Sequence, residues 1–447
     1  MKKLFSSNTA IAVVIANMVG TGVFTSLGYQ LVDIKSVFVL LFLWFVGGVT
    51  ALCGALTYAE LASALPRSGG EYNFLGRIYH PSLGFVSGWV SATVGFAAPT
   101  ALAAMTFSAY LAAALGDIYQ IHQVLASVLL VVVLTIVHGL SHQASSGFQR
   151  WATFLKVALI VLFSCLVLFY AEPADSINIL PSEGDVDLVL GSAFAVSLIY
   201  VSYAYTGWNA ATYITNEVED PQKNMPRILF LSTLMVMLLY LLLNFVFLYA
   251  TPMSALEGKI EIGVIVAEAT FGPSGALVMG FILSLMLIST VSAMIVAAPR
   301  VLQVIGEDIK AFSFLSVKNK RGIPTRAIYF QSGLTIIFIV TASFESVLVF
   351  SGFILGVNSL FTVAGIFKLR RSQLQIHKTQ YQTQYQTWGY PFTPLVYIAI
   401  TLWTITFIMI NRPLEAGIGL GMVVLGLIVY FFTAHLQGNQ QREVSHE

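Results

Sequence analysis

Charge is scarce in this chain. Its 22 lysines and arginines and 21 aspartates and glutamates make up 10% of 447 residues, against about 25% in soluble globular domains, which excludes a soluble fold. The balance of +1 leaves no basic footprint for nucleic acid. Cysteine is nearly absent: Cys53 and Cys165 both sit inside apolar runs, so neither a disulfide framework nor a C-x-x-C metal site is available. His138 and His142 stand four apart, but no carboxylate or third ligand joins them, so no metal centre or cofactor is read. The apolar stretches also lack a nucleophile–base pair and a nucleotide-binding loop, which argues against an enzyme. What the chain has in abundance is apolar surface, 57% hydrophobic and 13% aromatic residues with a mean hydropathy of +0.82. That excludes disorder and predicts an all-α protein of the lipid bilayer.

A membrane helix takes about 20 apolar residues. Twelve stretches qualify, at 9–31, 37–65, 83–115, 124–140, 148–170, 188–215, 228–250, 275–304, 327–343, 347–367, 394–410 and 416–435. Nothing between them is long enough for a soluble domain, so residues 1–447 read as one transmembrane unit. Lys2 and Lys3 precede an apolar run with no small-residue cleavage site, which predicts that the first span is retained. Most lysines and arginines fall in one set of alternate loops, including Arg67, Lys223, Arg227, Lys310, Lys318, Lys320, Arg370 and Arg371. The opposite set holds only Lys35, Lys259 and Arg412. Basic loops stay on the cytoplasmic side, so both termini are expected there, with the chain multi-pass in a bacterial inner or plasma membrane. The tract Gln380-Tyr-Gln-Thr-Gln-Tyr-Gln-Thr387 reads as a solvated cytoplasmic loop.

Two spans are interrupted. The first carries Asn17-Met18-Val19-Gly20-Thr21-Gly22 and the sixth Tyr203-Ala204-Tyr205-Thr206-Gly207-Trp208-Asn209, each with glycine among hydrogen-bonding side chains in mid-span. Irregular backbone survives at membrane depth only where it lines a cavity or is buried in protein. Breaks at corresponding positions in two halves point to a transporter's central site. An unwound helix frees N–H groups at a helix N-terminus, where an anion is favoured, and carbonyls at a C-terminus, where a cation is favoured. A zwitterionic amino acid presents both charges about one carbon apart. N–H groups near Gly20, Thr21 and Gly22 therefore suit its carboxylate, and carbonyls near Met18, Tyr203 and Ala204 its ammonium.

These residues carry a family resemblance. Gly20-Thr21-Gly22-Val23-Phe24, Tyr58-Ala59-Glu60-Leu61, Pro66-Arg67-Ser68-Gly69-Gly70-Glu71-Tyr72, Tyr205-Thr206-Gly207-Trp208-Asn209 and Gly389-Tyr390-Pro391 resemble motifs of the amino acid–polyamine–organocation (APC) superfamily, in its L-type amino acid transporter branch. The resemblance implies the LeuT-type fold, with residues 1–170 and 188–368 as inverted five-helix repeats and two further helices in 391–436. It implies that Thr21 and Gly22 bind the substrate carboxylate, that Met18 and Ala204 bind its ammonium, and that Tyr203 closes over it. Thr206 and Asn209 would join the site from the sixth span. Tyr203 stands where the family usually has phenylalanine, and Asn216 leaves Glu217 without the family's paired glutamate. The loop 116–122 lacks the cysteine that joins animal relatives to a heavy chain, so no disulfide-linked heavy chain is expected.

Lys156 lies inside the fifth span, where a lysine costs about 2.5–3.5 kcal/mol on insertion scales and is a functional candidate by default. Family members with this lysine use it in place of sodium, and the resemblance points to Ser289 and Ser292 as its contacts. Glu60, Arg67, Glu217 and Arg300 are read as candidates for a cytoplasmic gate. The expected function is alternating-access transport of neutral L-amino acids, by sodium-independent exchange or proton-linked uptake. The rival readings are a sodium-coupled symporter, which needs oxygen ligands where Lys156 places a positive charge, and a transporter-like sensor, for which the short tails offer no signalling extension.

Overall fold

A computed structural model describes residues 5–115, 122–140, 146–174, 177–297, 299–319, 322–375 and 385–444. Lys2, Lys3, loop residues 116–121, His142, residues 380–384 of the glutamine–tyrosine tract and the Arg300 side chain, all invoked above, lie outside what it describes. Helices dominate. The first part contains α1 (Ser7–Met18), α2 (Gly22–Asp33), α3 (Val37–Ala64), α4 (Glu71–Ile78), α5 (Pro81–Val90), α6 (Ala97–Leu115), α7 (Gln123–Leu140) and α8 (Ser146–Tyr170). There follow α9 (Asp185–Leu190), α10 (Ser192–Ala204), α11 (Pro221–Ala250), α12 (Met253–Leu256), α13 (Ile262–Ala297), α14 (Pro299–Asp308) and α15 (Ser313–Ser316). The last four are α16 (Thr325–Thr341), α17 (Phe344–Gln375), α18 (Phe392–Asn411) and α19 (Pro413–Val444). Among the described residues, backbone pairing of the β type is confined to a bridge between Phe5 and Val218.

Among the described residues, ten helical segments are long and apolar enough to cross a membrane, counting α1 with α2 and α5 with α6 as one each. Two further apolar helices, α10 and α16, are shorter than a membrane span requires, so ten of the twelve stretches read from the sequence coincide with helices of spanning length. Local chemistry sets several starts. Ser36 accepts from Val39 N at the head of α3, and proline opens α5 and α11, where a missing N–H costs nothing. Hydroxyls inside these helices return to the carbonyl one turn back, as Thr50 does to Val46 at 2.8 Å and Thr57 to Cys53 at 2.9 Å. Such back-bonding lets a polar side chain sit in an apolar helix without an orphaned donor.

Both expected interruptions are present. The chain leaves helical geometry between Met18 and Gly22, and again between Ala204 and Ala210, after which it continues as a 3₁₀ segment, Ala210–Glu217. The broken helices cross at their gaps. A Cβ on Gly22 would lie 2.5 Å from Ala204 Cα, and one on Gly207 would lie 2.9 Å from the Asn17 carbonyl carbon. Gly207 also has φ of +104°, a left-handed conformation that favours glycine. Behind the crossing, α3 and α11 pack together and place a cluster of Trp44, Tyr205 and Tyr240 rings against the gaps.

Candidate functional site

A cavity of about 150 Å³ lies at the crossing. All eight residues expected to bind substrate, Met18, Gly20, Thr21, Gly22, Tyr203, Ala204, Thr206 and Asn209, line it. On one side lies the N-terminus of α2, where Phe24 N–H bonds Thr21 O at 3.0 Å and the N–H groups before it have no partner within the helix. Gly20 N–H, expected among these donors, instead bonds Met18 O at 2.8 Å, because the chain turns tightly on leaving α1. Of the expected donors, Thr21 and Gly22 remain, both lining the cavity. On the other side the Met18 and Ala204 carbonyls both face the Tyr240 hydroxyl, at 2.5 and 3.0 Å. One hydroxyl proton satisfies one carbonyl at a time, and Met18 O also accepts from Gly20 N, so the acceptor capacity left for an ammonium is chiefly that of Ala204 O. Tyr240 thus ties the ends of α1 and α10 together. It had no signal in the sequence beyond a lone hydroxyl in the run Leu238-Leu-Tyr-Leu-Leu-Leu243.

Tyr203 is 6% exposed and its hydroxyl lies within reach of the Thr21 side chain, so the ring and both gaps meet at one wall. Asn209 donates to Glu71 Oε1, which also accepts from Tyr58 at 3.1 Å, while Tyr213 donates to Oε2 at 2.7 Å. Glu71 lines the same cavity; its motif was read for resemblance alone, so its place here was missed.

Lys156 is 6% exposed and turned inward, donating from Nζ to Thr290 Oγ1 at 2.7 Å. It borders a smaller cavity with Val19, Gly20 and Phe24, and Thr290 lines both this cavity and the main one. The contacts expected at Ser289 and Ser292 are corrected. Ser292 shares a 2.7 Å hydrogen bond with His138 Nε2, and the hydroxyl that α13 turns to Lys156 is that of Thr290. Successive residues on a helix point about 100° apart, so three nearby hydroxyls face three directions. The expected gate is also rearranged. Glu60, 2% exposed, pairs with Arg370 at 2.8 and 2.7 Å and accepts two further 2.7 Å bonds from Thr387 N and Oγ1. Arg67 reaches Asp308 at 3.3 Å, which Tyr72 also bonds at 2.6 Å. The Glu217 side chain joins none of the four described ion pairs; its carbonyl accepts from Phe5 N at 2.6 Å. Glu60, Arg67 and Glu217 thus hold separate contacts and do not pair with one another.

The sequence is similar to known proteins over nearly its whole length. Residues 5–433 match the family model described as amino acid permease. The mouse large neutral amino acids transporter small subunit 2 is 27% identical over 456 residues, covering 98% of this chain and 82% of the relative. The mouse b(0,+)-type amino acid transporter 1 is 26% identical over 449 residues, with 98% and 89% covered. The mouse Asc-type amino acid transporter 1 is 25% identical over 449 residues, with 96% and 81% covered. With its apolar helices and a match over nearly its whole length, the chain belongs to the amino acid permease family of the APC superfamily and is a multi-pass membrane transporter, not an enzyme.

Proposed function

We propose that this protein carries neutral L-amino acids across a bacterial inner or plasma membrane by alternating access, without sodium, through exchange or proton-linked uptake. The observation that carries the reading is the crossing of the two interrupted helices around one cavity. A helix N-terminus supplies the anion side of a zwitterion site, and the Met18 and Ala204 carbonyls supply the cation side. Three relatives named as amino acid transporters support the substrate class, one of them for large neutral amino acids. Buried beside the first gap, Lys156 puts a fixed positive charge where a sodium-coupled reading would need oxygen ligands. The same reading takes the twelve apolar segments as twelve spans, in two inverted repeats plus two helices, with both termini cytoplasmic.

We also infer that the chain works without a disulfide-linked heavy chain, since Cys53 and Cys165 both lie within helices α3 and α8. The test is reconstitution of the purified chain alone into proteoliposomes, followed by counterflow of labelled amino acids against an unlabelled panel. Neutral L-amino acids should exchange equally well when choline replaces sodium. Uptake into vesicles without internal substrate, driven by an acidic exterior, identifies proton coupling; its absence identifies exchange. Failure of every neutral amino acid to exchange overturns the function, and strict dependence on sodium overturns the coupling.

A further inference from the structure

Among the described residues lining the central cavity, Glu71 is the single acid or base with a formal charge; Lys156 borders only the smaller cavity. It is 2% exposed, and it takes part in none of the four ion pairs among the described residues. Three neutral donors hold it instead: Tyr58 and Asn209 on Oε1, and Tyr213 on Oε2. An ionised carboxylate has about four acceptor positions, two on each oxygen. Oε1 is therefore filled and Oε2 has one position open. Next to it stand two rings that also line the cavity, Phe96 and Tyr213, edge to face with centroids 6.0 Å apart. Aromatic faces attract a cation, and a buried negative charge repels an anion more strongly than one in open solvent does.

We propose that Glu71, with Phe96 and Tyr213, forms a side-chain subsite that accepts a cationic group and excludes an anionic one, extending the substrates from neutral to dibasic amino acids and barring acidic ones. The proposal rests on the reading of the cavity as an amino acid site. A zwitterion with a neutral side chain adds no net charge to the cavity. A lysine or ornithine side chain neutralises Glu71, donating to the open position on Oε2. A glutamate side chain places a second carboxylate in the same enclosure and finds no described cation lining it. Selection here works by repulsion of the wrong charge as much as by attraction of the right one.

Isosteric competitor pairs test this in the counterflow assay, using labelled leucine or whichever neutral amino acid the panel shows to exchange. In the wild type, glutamate should compete at least about tenfold more weakly than glutamine, and lysine within about tenfold of norleucine. In Glu71→Gln both ratios should move towards each other, with glutamate gaining and lysine losing at least about fivefold relative to its neutral partner. The ratios are read whatever the absolute rate of the variant. If Glu71→Gln does not fold, Glu71→Asp, which keeps the charge, should still bar glutamate. Equal competition by glutamate and glutamine in the wild type or in Glu71→Asp overturns the proposal, as does a Glu71→Gln protein with unchanged ratios. Absence of exchange by any neutral amino acid sinks the transport reading itself, which is a different result.

Discussion

Gly20 and Gly22 belong to one motif, and the sequence alone assigns both to the binding of a carboxylate. Their surroundings differ. A methyl group on Gly22 would sit 2.5 Å from Ala204 Cα, 2.7 Å from its Cβ and 3.2 Å from its nitrogen, whereas one on Gly20 would meet nothing closer than 3.9 Å. The atoms that block Gly22 are mainly backbone, so no rotamer change relieves the contact. Gly22→Ala must therefore spread the two broken helices by about 1 Å, at an overpacking cost of about 1–3 kcal/mol. The movement pulls apart the two carbonyls that Tyr240 holds together, and it opens the cavity wall at the same point. Valine at this position would fail first by separating the helices, and only second by crowding a carboxylate.

The pair of alanine variants gives the assay. Thermal unfolding in detergent and counterflow in proteoliposomes are measured for Gly20→Ala and Gly22→Ala beside the wild type. Gly22→Ala should unfold at a lower temperature and lose most of its exchange. Gly20→Ala should keep wild-type stability, with any loss confined to apparent substrate affinity. Wild-type stability and affinity in Gly22→Ala would refute the close crossing of the helices. Equal destabilisation of the two variants would refute the steric difference between them.

Tyr240→Phe removes the hydroxyl shared by the Met18 and Ala204 carbonyls, and should cost about 1–3 kcal/mol of stability and weaken exchange, read by thermal unfolding and counterflow. Tyr203→Ala should reduce exchange strongly while Tyr203→Phe retains it, because the ring supplies the wall; equal exchange by both would place the closing surface elsewhere. Lys156→Ala should impair exchange in a folded protein, and wild-type exchange should persist in choline; an unimpaired variant removes any coupling role for the lysine. Removing one partner of the Glu60–Arg370 pair, by Glu60→Ala or Arg370→Met, should cost about 3–5 kcal/mol, since four hydrogen bonds converge on a carboxylate that is almost fully buried. A double-mutant cycle on that pair with no coupling energy would show that the two side chains do not depend on each other.

Apolar segments and backbone breaks were legible in the sequence because both are local. Twenty apolar residues demand a helix, and glycine with threonine in mid-span marks where it comes undone. The partners of buried polar groups were not legible, because they are set by helix rotation and long-range packing. Glu60 finds Arg370, 310 residues away, and not Arg67, which is close in the chain. Lys156 finds Thr290 and not the adjacent Ser289, because a single step along α13 turns the side chain by about 100°. Likewise, the direction of a missing Cβ separates Gly22 from Gly20, and nothing in the motif encodes it.

These failures share a cause that makes some of them recoverable. A backbone group released inside a membrane has to find a partner in the protein or in a wet cavity. A helix break in a sequence is therefore also a reason to look for a donor or acceptor opposite it on some other helix. In this chain the carbonyls released at Met18 and Ala204 are met by Tyr240, the lone hydroxyl in an otherwise apolar stretch of α11. The carboxylate of Glu71 is met by Tyr58, by Asn209 in the second break and by Tyr213 just beyond it. Searching apolar helices for such isolated hydroxyls would have named Tyr240 as a partner of the breaks. It would not have told which break it serves, and the structure shows that it serves both, so the two gaps are coupled through one proton donor.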